Sequence, residues 1–539
     1  MTISVRRRFL QATAGSLLLP LYSASLFGQP SRTLSVQRRS PEQQVRADAD
    51  LNSSTRFALL IGNGNYASVP KLKNPANDAR AIGEQLRAAG FQVDLRQDLT
   101  RAEMLEAITT YAARIAATKS IGLFYFAGHG LQLAWRNFLI PVDAAIGKLE
   151  DIPQRCVDVG TLVSGITKAA NPMNVVILDA CRDNPFSNTM RVEQKGLSQL
   201  DAPPGTLLAF ATSPGNTASD GDGANGLYTE NLLRELQVPE AKIEDVFKRV
   251  RLGVRRRSNG QQIPWESTSL EEDFYFLPPK QFRPITESEE TRQFEAQSAL
   301  WEKIKASSDL PVLEDFLRRY PSGYFSELAQ LQLDRVLARL GEKKIQIVTS
   351  AANPYTQGSG ALNTNHKLGD SYTYRISDSL TGVEQRQVTD TIVNLTDSEV
   401  FYGSGIISDH IGNWRVLRNG ARQTANQFFS SEYSVGKRWK FRTSVTSPKG
   451  GAGTVEANCR VVAREKITVP AGTFDAFRIE TRGVVIYPKV KGEGERTLWV
   501  APGQLRVPVA HEWLNRFTVG GNSRISDAVR EELVSYKLA

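Results

Sequence analysis

Ile121-Gly122-Leu123-Phe124-Tyr125-Phe126-Ala127-Gly128-His129-Gly130 and Asn174-Val175-Val176-Ile177-Leu178-Asp179-Ala180-Cys181-Arg182-Asp183 decide the fold. Each begins as a short apolar run of the kind that forms a strand buried on both faces. Each then gives way to small and polar residues, with a histidine in one and a cysteine in the other. Open α/β sheets bind ligands in the crevice beyond the carboxyl ends of their strands. Adjacent parallel strands would bring His129 and Cys181 to one place, although 52 residues separate them.

The surrounding residues 56–278 alternate apolar runs with amphipathic stretches of helical period, which predicts an α/β domain with a mainly parallel sheet. Strands are expected at Phe57–Ile61, Phe91–Leu95, Ile121–Phe126, Val175–Leu178 and Thr206–Ala211, and Asp273–Leu277 is a candidate sixth. Pro75–Ala89 reads as a helix stopped by Gly90. Thr100 and Glu103 have the spacing of a capping box that opens the next helix. Further helices fall near Thr161–Ala169, Tyr228–Leu236 and Ile243–Arg256.

A thiol attacks as thiolate, and a neighbouring imidazolium lowers its pKa towards neutrality. Of four histidines (His129, His366, His410 and His511) only His129 lies in the α/β segment, so a Cys–His pair there must use it. Cys156 is the competing thiol, but it precedes a helix in a polar stretch and reads as structural. Three cysteines in all do not form a disulfide framework.

Phe126-Ala127-Gly128-His129-Gly130 and Asp179-Ala180-Cys181-Arg182-Asp183 resemble the paired catalytic motifs of the caspase-like cysteine peptidase clan, of the peptidase C14 and metacaspase type. Its caspase signature has Ala-Cys-Arg at the nucleophile with a histidine about 50 residues upstream. The resemblance covers roughly residues 56–277 and includes Ala58-Leu59-Leu60-Ile61-Gly62-Asn63 and Leu72-Lys73-Asn74-Pro75-Ala76-Asn77-Asp78. It implies a three-layer αβα sandwich with a mainly parallel six-stranded sheet. It implies Cys181 as nucleophile, His129 as proton carrier, and backbone N–H groups of Gly130 and Cys181 as the oxyanion hole. Metacaspases, which cut after arginine or lysine, have aspartate two residues before the cysteine and a second acid in an Asn-Asp pair opening the first helix. Asp179 and Asn77-Asp78 match, which implies an acidic S1 pocket for protein or peptide substrates with Arg or Lys at P1. The plainer alternatives are a helix N-terminal acid for Asp78 and a strand-end turn for Asp179. Ala127 departs from the serine common in metacaspases.

The loop Arg182–Pro204 carries Arg191 and Lys195, candidates for self-cleavage after a basic residue. Ala211–Gly223 follows the fifth strand and is expected to border the substrate groove, with Ser213 in its wall. No cofactor is required by this chemistry. Asp220 and Asp222 are candidates for activating Ca2+, although their spacing is not that of an EF-hand and a solvated turn is the plainer reading. No metal ligand set is assigned.

Arg6-Arg7-Arg8-Phe9-Leu10 ahead of a weak apolar run to Phe27 resembles a twin-arginine export signal, so residues 1–28 are expected to direct the protein to the periplasm or beyond. Residues 29–55 read as a polar, basic linker, and the peptidase domain as 56–280. Residues 283–341 are helical and resemble a tetratricopeptide unit; residues 345–539 are β-rich, with the spacing of a sandwich or curved sheet. Over 539 residues a net charge of +9, without zinc-ligand spacing or a recognition-helix pattern, argues against nucleic-acid binding. No integral membrane segment is expected. The additional regions are candidates for docking an envelope protein, in which case deleting 345–539 would leave small-peptide cleavage intact. The alternative is a catalytically silent envelope scaffold that binds through the β-rich domain.

Overall fold

Phe57, Leu59 and Ile61 alternate with Ala58 and Leu60 in the first apolar run, and all five are buried, so this strand needs cover on both faces. The computed structural model describes residues 40–181, 185–186, 196–216, 223–343, 345, 353–487, 490–519 and 522–539. Strands β1 (Arg56–Gly62), β2 (Phe91–Gln97), β3 (Ile121–Leu133), β4 (Arg136–Leu139), β5 (Val157–Asp158), β6 (Asn174–Cys181), β7 (Thr206–Phe210) and β8 (Trp265–Thr268) form one sheet. Its main path runs β2-β1-β3-β6-β7-β8 and is parallel up to β7, with β8 antiparallel.

The helices of this part are α1 (Pro41–Ser53), α2 (Pro75–Ala88), α3 (Arg101–Thr118), α4 (Ile152–Arg155), α5 (Val159–Ala169), α6 (Leu227–Leu236) and α7 (Ile243–Arg257). Ala58 and Leu60 pack with α2, α6 and α7. Phe57, Leu59 and Ile61 pack with α3 and α5 on the other face. The result is the three-layer αβα sandwich expected from the sequence. Local signals are realised too: Thr100 and Glu103 cap α3 reciprocally, and Gly90 ends α2 with φ of +82°.

Two expectations are corrected together. Asp273–Leu277 is not the sixth strand; that place is taken by β8, and only an isolated bridge joins Tyr275 to Lys242. Nor are residues 41–53 linker, because they form α1. The two segments satisfy each other: Asn52 donates to the Asp273 carbonyl (2.8 Å) and accepts from the Tyr275 N–H (3.0 Å), while Asp48 accepts from the Asp273 N–H (2.9 Å). Side chains of α1 thus serve backbone groups of 273 and 275 that a strand ladder would otherwise take, while the Phe274 carbonyl accepts from the Ile243 N–H (2.9 Å).

Helices α8 (Glu287–Ile304), α9 (Leu310–Arg319) and α10 (Tyr324–Arg339) enclose a core of their own that also takes in Leu252 of α7 and Ala425. The C-terminal region is β-rich as expected, and its curvature is carried to closure. Among the described residues it closes as a twelve-stranded barrel, not a sandwich, from Ser371–Asp378 to Asn522–Lys537, which pair with each other. Closure removes the free edges a curved sheet would leave. Val469-Pro470-Ala471-Gly472 is a hairpin turn there, with Val469 opposite Gly472. Among the described residues no helix is long and apolar enough to cross a membrane.

Residues 41–539 make one compact unit. Arg255 of α7, 5% exposed, is ion-paired to Asp334 and to the buried Glu342, each at 2.5 Å. A strap at 353–357 returns to the segment that leads into β7: Asn353 donates to the Gln199 carbonyl (3.0 Å), and Asp201 accepts from the Thr356 hydroxyl (2.5 Å) and the Gln357 N–H (2.7 Å). Hydrogen bonds to a charged group contribute about 1.5–3 kcal/mol each. Deleting 345–539 is therefore expected to destabilise the 198–201 segment and lower small-peptide cleavage, measured beside a thermal melt. Undiminished cleavage would mean that the strap is dispensable.

Candidate active site

β3 does not stop at Phe126. Ala127 pairs with Asp179 and Gly130 with Cys181, so β3 spends three steps where β6 spends two. A bulge of this kind re-aims the side chain it carries, and here that side chain is His129. Two glycines make the bulge feasible. A Cβ on Gly128, whose φ is +157°, would lie 2.6 Å from the Tyr66 hydroxyl oxygen; one on Gly130 would lie 2.6 Å from the Ala180 carbonyl oxygen. The catalytic-motif residues therefore lie within the strands, not beyond them: Cys181 is the last residue of β6, and β3 runs on past His129 to pair with β4.

His129 is buried at 5% exposure. Its backbone N–H donates to the Tyr66 hydroxyl (2.8 Å), and its Nε2 lies 2.9 Å from the Pro70 carbonyl oxygen. A carbonyl only accepts, so Nε2 carries the hydrogen and Nδ1 is the basic nitrogen of the neutral ring. The ring also packs on Tyr66, with centroids 4.7 Å apart. Tyr66 and Pro70 belong to the loop after β1, which is held at several points. Asp98 accepts from the N–H groups of Gly64 and Asn65, both at 2.8 Å. The Asn63 N–H donates to the Ala127 carbonyl (2.9 Å), and the Asn63 side chain accepts from the Leu99 N–H (2.9 Å).

Asp179 and Asp78 are both buried. Asp179 accepts from the Thr229 hydroxyl (2.9 Å), and the Tyr125 hydroxyl lies 2.6 Å from the same Thr229 oxygen. Since Thr229 gives its one proton to the carboxylate, Tyr125 donates to Thr229. Asp78 accepts from the N–H of Gly226, the N-cap of α6 (3.0 Å). The Tyr125 hydroxyl is held well above its ordinary pKa by burial first, then by the charges of Asp179 and Asp78. The two acids thus act on one buried spot at the N-terminus of α6, where the helix dipole favours negative charge.

The other two thiols are buried. Burial pushes Cys156 up to about 12, Arg101 opposing. It also pushes Cys459 up to about 12, where the Thr481 hydroxyl donates to its sulfur at 3.3 Å. Ser213 is buried with its hydroxyl donated to the Ile263 carbonyl (2.7 Å), which ties down the loop after β7. Arg191, Lys195, Asp220, Asp222 and the side chain of Cys181 lie outside the described residues. Among those described, no three His, Cys, Asp or Glu side chains gather as metal ligands.

Nothing in the sequence marks Tyr66, the Pro70 carbonyl, Tyr125 or Thr229 for a site. A backbone carbonyl leaves no trace in residue identity, and the tyrosines and threonine are unremarkable until the strands are aligned. Tyr66→Phe leaves the buried His129 N–H without its acceptor, which costs about 1–3 kcal/mol. Stability should fall by that much. Cleavage should fall with it through a displaced imidazole, read as lower kcat at little-changed KM.

Residues 55–275 match the caspase domain family model. This segment is a caspase-like domain, and its family makes the chain cysteine peptidase-like over that range. The chain is 28% identical over 248 residues to mucosa-associated lymphoid tissue lymphoma translocation protein 1 of Homo sapiens, covering 45% of this chain and 29% of that protein. It is 23% identical over 245 residues to caspase-1 of Rattus norvegicus, covering 42% of this chain and 60% of that protein. The chain thus spans 29% and 60% of the lengths of these two relatives, under two thirds of either.

Proposed function

We propose that the protein is an exported cysteine endopeptidase that cleaves after Arg or Lys through a Cys181–His129 dyad. The observation that carries the reading is the bulged pairing that sets Gly130 opposite Cys181 while the Pro70 carbonyl fixes the His129 tautomer. In this mechanism Nδ1 of His129 takes the Cys181 thiol proton as sulfur attacks the scissile carbonyl. The N–H groups of Gly130 and Cys181 receive the oxyanion, and His129 returns the proton to the leaving amine. Water then hydrolyses the thioester by the same route in reverse.

The P1 preference rests on Asp78 and Asp179. Two carboxylates held at one buried spot attract a guanidinium or ammonium and repel an acidic side chain. Export rests on Arg6-Arg7-Arg8-Phe9-Leu10. A route that carries folded proteins would favour activation after export, for which Ca2+ is the candidate; a chelator should then abolish activity. The test of the main reading is cleavage of matched peptides differing only at P1. Turnover with Arg and Lys but not Asp supports it, and turnover with Asp alone would overturn the pocket assignment.

A further inference from the structure

Along the strand that ends at Val500, Arg496 shares a face with Leu498 and Val500, both fully buried in the barrel core. Strand alternation therefore points Arg496 into the barrel. It pairs across the sheet with Trp513, whose strand presents His511 on the same face, opposite Leu498 and Glu531. The guanidinium lies over the Phe428 ring at 5.0 Å and the Trp513 ring at 5.9 Å. His511, 5% exposed, has ring centroids 4.6 Å from Trp513 and 5.8 Å from Trp414, nearly parallel to the latter.

This cluster is short of hydrogen-bond partners. Among the described residues Arg496 makes neither a hydrogen bond nor an ion pair, and the buried Nε2 of His511 has no partner. The nearest acids, Glu531 and Asp527, act on Arg496 only through space, and Glu531 also lies 3.8 Å from Arg418, which is bonded to Asp390 at 2.6 Å. Burial, with Arg496 beside it, holds His511 well below its ordinary pKa and so neutral. A buried imidazole nitrogen without a partner is costly, and rings with a few convergent polar groups are what ligand sites are made of.

We propose that the barrel interior binds a small organic anion on a flat aromatic body, with Arg496 and His511 holding the anionic group and Trp414, Trp513 and Phe428 flanking the body. Arg496 supplies a forked pair of N–H donors, and neutral His511 supplies one more. The site is separate from the Cys–His chemistry and does not depend on it.

Titration of the full chain with 8-anilinonaphthalene-1-sulfonate tests this, with the uncharged N-phenyl-1-naphthylamine as the control of matched body. One saturable site is expected, weakened about tenfold or more in Arg496→Gln, as for loss of a charge-assisted contact, while the uncharged probe is little affected. Should Arg496→Gln fail to fold, as judged by its thermal melt, His511→Gln is the second variant and should weaken the anionic probe several-fold. Absence of saturable binding, or equal binding of the sulfonate by wild type and the folded variant, would overturn the proposal.

Discussion

Cys181→Ala is expected to lower kcat/KM on a P1-Arg peptide by about 10⁴-fold or more, as removal of a nucleophile does where nucleophile and base act as one unit. No other thiol can take its place, because Cys156 and Cys459 are both buried and pushed up to about 12. His129→Ala should cost nearly as much, and the double variant little more than either, because the two groups serve one step. The fold should survive: Cys181 closes the last step of β6, and alanine leaves the backbone pairing with Gly130 unchanged. Equal thermal melts with lost turnover would place the loss in chemistry, whereas retained turnover would remove Cys181 from the mechanism.

Asp179→Asn carries the second-largest effect. Truncating one partner of a buried, hydrogen-bonded charge pair costs about 2–5 kcal/mol, or roughly 30-fold to several thousandfold in rate constants. With an Arg substrate the loss should appear mainly in KM, since ground state and transition state use the contact alike. Asp78→Asn should act in the same direction. Both acids also serve the N-terminus of α6 through Thr229 and Gly226, so a purely structural role must be told apart from a pocket. The discriminating number is the ratio of P1-Arg to P1-norleucine turnover. A pocket loses that ratio in the variants; a structural role lowers both substrates together and leaves it unchanged.

Much of this was legible in residues alone, and the exceptions have physical causes. Apolar runs such as Phe57–Ile61 and Val175–Leu178 have one stable use in a chain that alternates them with amphipathic helices, so the layers followed. Asp273–Leu277 has the same apolar character, and its burial was foreseeable, but its partners are side chains of α1, which no periodicity announces. His129 and Cys181 were identifiable because chemistry restricts residue type. Tyr66 and Pro70 were not, because one acts through a common hydroxyl and the other through a backbone oxygen. The barrel's closure depends on Ser371–Asp378 meeting Asn522–Lys537, a pairing between the two ends of the region that local spacing does not encode.

Cys181 as a nucleophile served by an acidic S1 pocket is the proposal on which the rest depends. Its most direct test is covalent labelling of the purified protein, with and without Ca2+, by two thiol-reactive peptide probes bearing Arg or Asp at P1, with the modified residue mapped by mass spectrometry. Modification of Cys181 by the Arg probe alone is the expected result. Modification of Cys181 by the Asp probe instead, or of neither probe's target under either condition, would contradict it.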